Sequence, residues 1–155
     1  MRSTLHRARG VRIGKDVFIS EDVILENARP DLITIEDRVT IGIRTTIIGH
    51  FREADGGVRI ESDVFVGPGA VILPNVVIGR GAVVAAGSVV TRSVPGMTVV
   101  QGNPAVPVAQ CGVPLSPSVT QKEFTRGLKP LVLRTAALKR RPEGESEQNG
   151  RADSR

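Results

Sequence analysis

From Val58 to Val94 the chain repeats a pattern every six residues, and no other feature restricts its fold so strongly. Val58, Val64, Ala70, Val76, Ala82 and Ser88 fill the first place of each block, and Ile60, Val66, Ile72, Ile78, Val84 and Val90 fill the third. Gly, Pro, Asn, Asp and Ser gather at the block ends. A period of six fits neither the 3.6 of an amphipathic helix nor a hairpin array, whose strands recur every eight to twelve residues. Two inward positions separated by one outward residue make a three-residue strand, and the polar, Gly-containing end makes a corner. Three such sides close a triangular turn. Stacking the turns pairs each strand in parallel with the one beneath and buries a column of Ile and Val, so the pattern predicts an all-β solenoid, a parallel β-helix.

The same register reaches back to the pairs Val11/Ile13, Val17/Ile19 and Val23/Leu25. The next aliphatic pair, Ile33/Ile35, comes ten residues after Val23/Leu25 rather than six, so Glu26 to Leu32 must hold a four-residue insertion at a corner. Val39/Ile41 and Thr45/Ile47 restore the period, and a stretch from Gly49 to Gly57 then leaves it as a loop. Twelve inward blocks result, about four coils. A loop that interrupts a strict repeat has a rigid base and a tip that needs no packing partner, which makes residues 49–57 the expected active-site loop. It carries His50. The other histidine, His6, falls in a basic, non-periodic leader (residues 1–10) and is expected to face solvent.

Charge argues against a nucleic-acid partner. The net +5 divides into 12 Lys/Arg against 11 Asp/Glu over residues 1–116, and 9 against 5 over residues 117–155. The excess therefore sits in the tail, and with no Tyr or Trp the chain lacks the stacking platforms that single strands use. One cysteine, Cys111, permits no internal disulfide. No apolar run approaches the roughly 18–20 residues of a membrane span, and the basic N-terminus lacks a signal's apolar segment. A cytoplasmic protein without a membrane span is expected.

Beyond Ser93 three prolines argue against a central strand. This stretch is expected to run extended over the end of the solenoid, capping an edge that would otherwise template aggregation. The solenoid domain thus covers residues 11–110. Residues 111–138 read as a linker followed by a weak helix near Ser118 to Leu128, with a second weak helical stretch from Pro130 to Leu138. Residues 139–155 are polar and expected to be disordered.

The string VFVGPGAVILPNVVIGRGAVVAAGSVVTRSVPGMTVVQGNPAVPV resembles the hexapeptide-repeat acyltransferases, particularly the maltose/galactoside O-acetyltransferase-like group. The resemblance implies a left-handed β-helix, a homotrimer, and acyl transfer from acetyl-coenzyme A. It places Ala85, Thr91 and Arg92 on the coenzyme, with Arg92 near its phosphates, and Asn103-Pro104-Ala105 beside the adenine; Arg80 is a weaker phosphate candidate. The histidine that ends the repeat before the family's active-site loop matches His50, although Phe51 stands where the family has proline. Arg44 occupies the place of a family Asn that contacts the acceptor, and Arg cannot accept a hydrogen bond. The family's helical segment ahead of the coils has only Met1 to Gly10 to correspond to it.

The chemistry is consistent with that implication. Moving an acetyl group from a thioester to a hydroxyl or amine requires a base to take the acceptor's proton, and imidazole suits neutral pH. His50 is the candidate base, and Glu26, at the first insertion, is the candidate to orient it. The expected reaction is acetyl transfer to a hydroxyl of a sugar or similar small molecule, with an amine acceptor and a non-catalytic scaffold as alternatives. A zinc enzyme on this fold would need three histidines, one more than the chain has. No metal is expected.

Overall fold

In the computed structural model, which describes residues 2–51 and 56–131, the six-residue blocks become strands. They are β1 (Arg12–Ile13), β2 (Phe18–Ile19), β3 (Ile24–Leu25), β4 (Ile33–Ile35), β5 (Thr40–Ile41), β6 (Thr46–Ile47), β7 (Val58–Ile60), β8 (Phe65–Val66), β9 (Val71–Ile72), β10 (Val76–Ile78), β11 (Val83–Val84) and β12 (Val89–Val90). They stack into three parallel ladders: β1-β4-β7-β10 (face A), β2-β5-β8-β11 (face B) and β3-β6-β9-β12 (face C). The chain is a left-handed parallel β-helix. Ile33, Ile35, Ile41, Ile47, Ile60, Ile72 and Ile78 are essentially inaccessible to solvent, each contributing about 1.5–3 kcal/mol by burial.

The corners are built by residues with left-handed backbone. Asp16, Arg38, Asp63, Gly81 and Met97 turn the chain from face A to face B, and Asp22, Arg44, Gly69 and Gly87 turn it from B to C. Such a conformation costs a non-glycine residue roughly 1–2 kcal/mol. Side-chain bonds between successive coils offset the cost. At the A–B corner Arg38 Nε donates to Asp63 Oδ1 at 2.7 Å and the Lys15 N–H to Asp37 Oδ1 at 2.7 Å.

Both ends of the solenoid are covered. At the first coil the basic leader forms a helix, α1 (Arg2–Ala8), packed on β1 and β2. His6 is buried beneath it rather than exposed to solvent, with its carbonyl accepting the Val11 N–H at 3.1 Å. The open end of a solenoid presents unpaired apolar rims, and a seven-residue helix is long enough to cover one, which overrides the usual mobility of a terminus.

At the last coil the chain runs back as expected, but as a true hairpin. β13 (Thr98–Gly102) pairs in parallel with β11, β14 (Ala105–Gln110) pairs antiparallel with β13, and β15 (Lys129–Pro130) pairs with β14. Pro107 therefore sits within an inner strand. A register shift lies beside it, between Val99 and Val100, where Val108 has no partner on β13, and proline in a sheet is found at such bulges. Cys111, expected in a linker, is buried, with its N–H on the Met97 carbonyl at 2.7 Å.

The helix expected near Ser118 is α2 (Gln121–Arg126), held by a capping box in which Thr120 and Glu123 satisfy each other's backbone N–H. Of the second helical stretch, Pro130 lies in β15, and residues 132–138 and the 139–155 tail fall outside the described residues.

Candidate active site

Both departures from the six-residue period lie on the corner between faces C and A. The first, after β3, carries Glu26 and a single 3-10 turn at Pro30–Leu32. The second, after β6, carries Gly49 and His50. The parallel pairing Leu25↔Ile47 continues as the Glu26 N–H bonds the Ile47 carbonyl at 3.0 Å, so the two insertions leave the solenoid one above the other. Glu26 Oε2 consequently lies 3.1 Å from His50 Nδ1. The His50 side chain keeps 25% of its exposure and that of Glu26 only 12%, so water competes weakly for the contact.

A carboxylate only accepts hydrogen bonds, so a neutral His50 that bonds Glu26 through Nδ1 carries its proton there and has its lone pair on Nε2. Burial alone would raise the Glu26 pKa. The Ala28 N–H, the His50 ring and the Gly49 and Asn27 N–H groups outweigh it and hold the carboxyl below its usual range. Ala28 N–H donates to Oε1 at 2.9 Å, which leaves Oε2 for the imidazole. Glu26 therefore stays ionised beside His50.

Leu32 joins this pair to a concavity of about 420 Å³ on face A, lined by Arg12, Thr34, Gly57, Arg59 and Asn75 among others. Gly57 has φ +63°, and a Cβ there would come within 2.4 Å of the Leu32 carbonyl oxygen. Only glycine lets the second insertion return so close to the first. Arg12, Thr34 and Arg59 each lie between two inward aliphatic residues of face A. Sequence reasoning passed over them, although that outward position in three stacked blocks is readable from the hexads.

The other sequence-selected residues fall into two groups. Ala85 sits on the B–C corner, where its N–H bonds the Val100 carbonyl at 2.9 Å. Asn103 and Pro104 form the exposed tip of the β13–β14 hairpin, tied to that corner by the Gly102 N–H on Ser88 Oγ at 3.2 Å. Gly69 and Gly87 on the same corner meet no atom within 4 Å of a built Cβ, so the backbone edge here is bare. Thr91 and Arg92 are exposed on the C–A corner after β12.

Arg44 is not beside His50 within one chain. It stands on the B–C corner, 3.8 Å from Asp22, with face C between it and the histidine. Arg80 is on the A–B corner, 3.5 Å from Asp63 and so already paired. Among the described residues no group of three or more His, Cys, Asp or Glu is placed to hold a metal ion, and no helix is long and apolar enough to cross a membrane.

Comparisons with known proteins converge on this architecture. Residues 57–92 match the family described as bacterial transferase hexapeptide (six repeats). The chain is similar to the hexapeptide-repeat acetyltransferase VCA0836 from Vibrio cholerae O1 biovar eltor, whose crystal structure is complexed with acetyl-coenzyme A. They share 34% identity at a TM-score of 0.57, covering 66% of this chain and 61% of that one. A maltose O-acetyltransferase from Clostridium difficile 630 superposes with a TM-score of 0.52 and 25% identity, over 70% of this chain and 74% of the other. The 2,3,4,5-tetrahydropyridine-2,6-dicarboxylate N-acetyltransferase of Staphylococcus aureus (strain bovine RF122 / ET3-1) is 46% identical over 74 residues, 48% of this chain and 30% of that protein. The chain spans less than two thirds of the length of the first curated relatives it matches, 63% at most.

Proposed function

We propose that this chain, a β-helix carrying the hexapeptide repeat of bacterial transferases, is an acetyl-coenzyme-A-dependent acetyltransferase acting on a hydroxyl of a sugar or similar small molecule. The observation that carries the reading is the 3.1 Å contact between Glu26 Oε2 and His50 Nδ1. Glu26 fixes the tautomer and steadies the imidazolium that forms. His50 Nε2 takes the proton as the acceptor oxygen bonds to the acetyl carbon, and gives it to the departing thiolate, so atoms and charge balance. The coenzyme supplies the acetyl thioester.

Ala85, Thr91, Arg92, Asn103 and Pro104 are the proposed coenzyme contacts. The bare corner edge at Gly69 and Gly87 supports the approach of an extended pantetheine arm, and Arg92 offers a charge-assisted donor to a phosphate. We assign the homotrimer to contacts through face C. Its outward column, Ile24, Thr46, Val71 and Val89, is mostly apolar, and Ile24 is 58% exposed in a single chain. Cyclic packing on that face brings the B–C corner of one copy to the C–A corner of the next. Arg44 and the coenzyme corner then face a neighbour's His50, which gives Arg44 its acceptor-binding role across the interface.

An amine acceptor is the second reading, favoured by the similarity to the Staphylococcus aureus N-acetyltransferase. The deciding assay follows thiol release from acetyl-coenzyme A over sugars, amino sugars and hydroxylated small molecules, for wild type and His50→Ala. Turnover on one acceptor class that falls at least about a hundredfold in the variant, with coenzyme binding intact, upholds the reading. Unchanged turnover in the variant removes His50 as base, and the absence of both turnover and coenzyme binding makes the chain a scaffold.

A further inference from the structure

The geometry points to an acceptor that carries an anionic group, a carboxylate or phosphate, held by Arg12, Thr34 and Arg59 in the face A groove beside the Glu26–His50 pair. This rests on the acetyltransferase reading of that pair and narrows its substrate class. The three side chains occupy one outward column, in the register Arg12↔Thr34 and Thr34↔Arg59. Parallel rungs are about 4.8 Å apart, so the two guanidinium stems start roughly 10 Å from each other with a hydroxyl between them. Two long cationic side chains converging on one acceptor-sized group fit that span, and Arg is the side chain whose planar fork matches carboxylate and phosphate oxygens.

The local charges favour an anion. Among the described residues the groove is lined by one carboxylate, Asp31, which Arg29 clasps through two bonds of 3.1 and 3.0 Å. Arg59 is paired with Glu36, and Glu36 has its other oxygen on the Ser62 N–H and hydroxyl at 3.1 and 3.0 Å. The Arg59 side chain nevertheless stays 57% exposed. The guanidinium of Arg12 makes no hydrogen bond or ion pair among the described residues. Among the described residues the groove lining thus holds two guanidinium groups, Arg12 and Arg59, against one carboxylate, Asp31, on which Arg12 also acts through its charge. Leu32 lines the groove and also lies 3.3 Å from the Cβ position of Gly49, next to His50, which places the anion subsite against the catalytic corner.

The test uses matched probes: glucose against glucuronate and glucose 6-phosphate, and glucosamine against glucosamine 6-phosphate. Thiol release and equilibrium binding of each are measured for wild type, Arg12→Gln and Arg59→Gln, with acetyl-coenzyme A binding as a control. Arg12→Gln removes no hydrogen bond or ion pair among the described residues. The expected result is a KM or Kd at least roughly tenfold lower for the anionic member of a pair, an advantage that either substitution erases without altering the neutral member or coenzyme binding. Preference for glucuronate over the phosphates assigns a carboxylate, and the reverse assigns a phosphate. Equal affinity for charged and neutral members, or variants that weaken both alike, overturns the subsite while leaving acetyl transfer standing. Arginine-dependent binding of an anionic probe with no turnover keeps the subsite and removes the acetyltransferase reading instead.

Discussion

Glu26 and His50 are 24 residues apart in the chain and 3.1 Å apart in space, because each is the first long polar side chain to leave the solenoid at the same corner of successive coils. The strand beneath each is fixed by parallel pairing, so their spacing is set by the stacking of rungs and not by the loops. Glu26→Gln keeps the shape but cannot hold the imidazolium. The expected outcome is a fall in kcat of roughly ten- to a thousandfold with little change in KM, measured by steady-state thiol release once an acceptor is known.

Acid should loosen the N-terminal cap before it unfolds the solenoid. His6 is buried with no partner for Nδ1, and burial first, then Arg9, lowers its pKa from the usual 6.5. A lowered histidine pKa means that the folded state binds fewer protons than the unfolded one. Its stability is complete above the unfolded value and declines as pH falls below about 6.5. His6→Leu removes the titration, and hydrogen exchange of residues 2–9 should be slower in the variant than in wild type at pH 5, with a smaller difference at pH 8.

A second pH effect lies lower. Burial would raise the Glu36 pKa, but the Ser62 hydroxyl and N–H and then Arg59 overcome it and hold the carboxyl below its usual 4.5. Here the stabilisation is complete above the unfolded value and is lost as pH falls through the depressed folded one. Thermal unfolding followed from pH 6 to pH 2.5 should show a steeper acid decline in wild type than in Glu36→Gln, with the two curves converging at the acid end.

Two glycines with nearly the same backbone angle should respond differently to alanine. Gly69 has φ +66° and open space around it, so Gly69→Ala should cost only the roughly 1–2 kcal/mol of the left-handed conformation. Gly57 has φ +63° and the Leu32 carbonyl in the way, so Gly57→Ala adds a steric term and should cost at least about 1 kcal/mol more. Urea titration of the two variants gives the comparison, and equal losses would contradict the close approach at Leu32.

The strand register was legible because six-residue spacing places each aliphatic pair on a face without any help from tertiary contacts. The inward pairs from Val11/Ile13 to Ser88/Val90 follow it through both insertions. Two kinds of feature were hidden. Burial of His6 depends on an end cap too short to show helical periodicity, and the inner-strand place of Pro107 depends on a bulge that only the partner strand reveals. At the site, His50 could be picked out as the histidine on the loop. The pairing of Glu26 could be suspected but not fixed, since a four-residue insertion does not say which way its carboxylate turns. Arg44 is close to His50 in the sequence yet a full triangle side away, and only the corner assignment shows that separation.

All irregular length is confined to one of the three corners. The two insertions enter and return between the same ladders, and every rung beneath and above them keeps its register across the gap. The register of the ladders and the length of the C–A edge are therefore written in separate parts of the chain. The ladders supply stability rung by rung, while the C–A edge can be lengthened, shortened or rewritten with little consequence for them. An engineer wishing to reshape this edge would exchange the 26–32 and 49–57 segments as a matched pair and leave the inward positions of the hexads untouched.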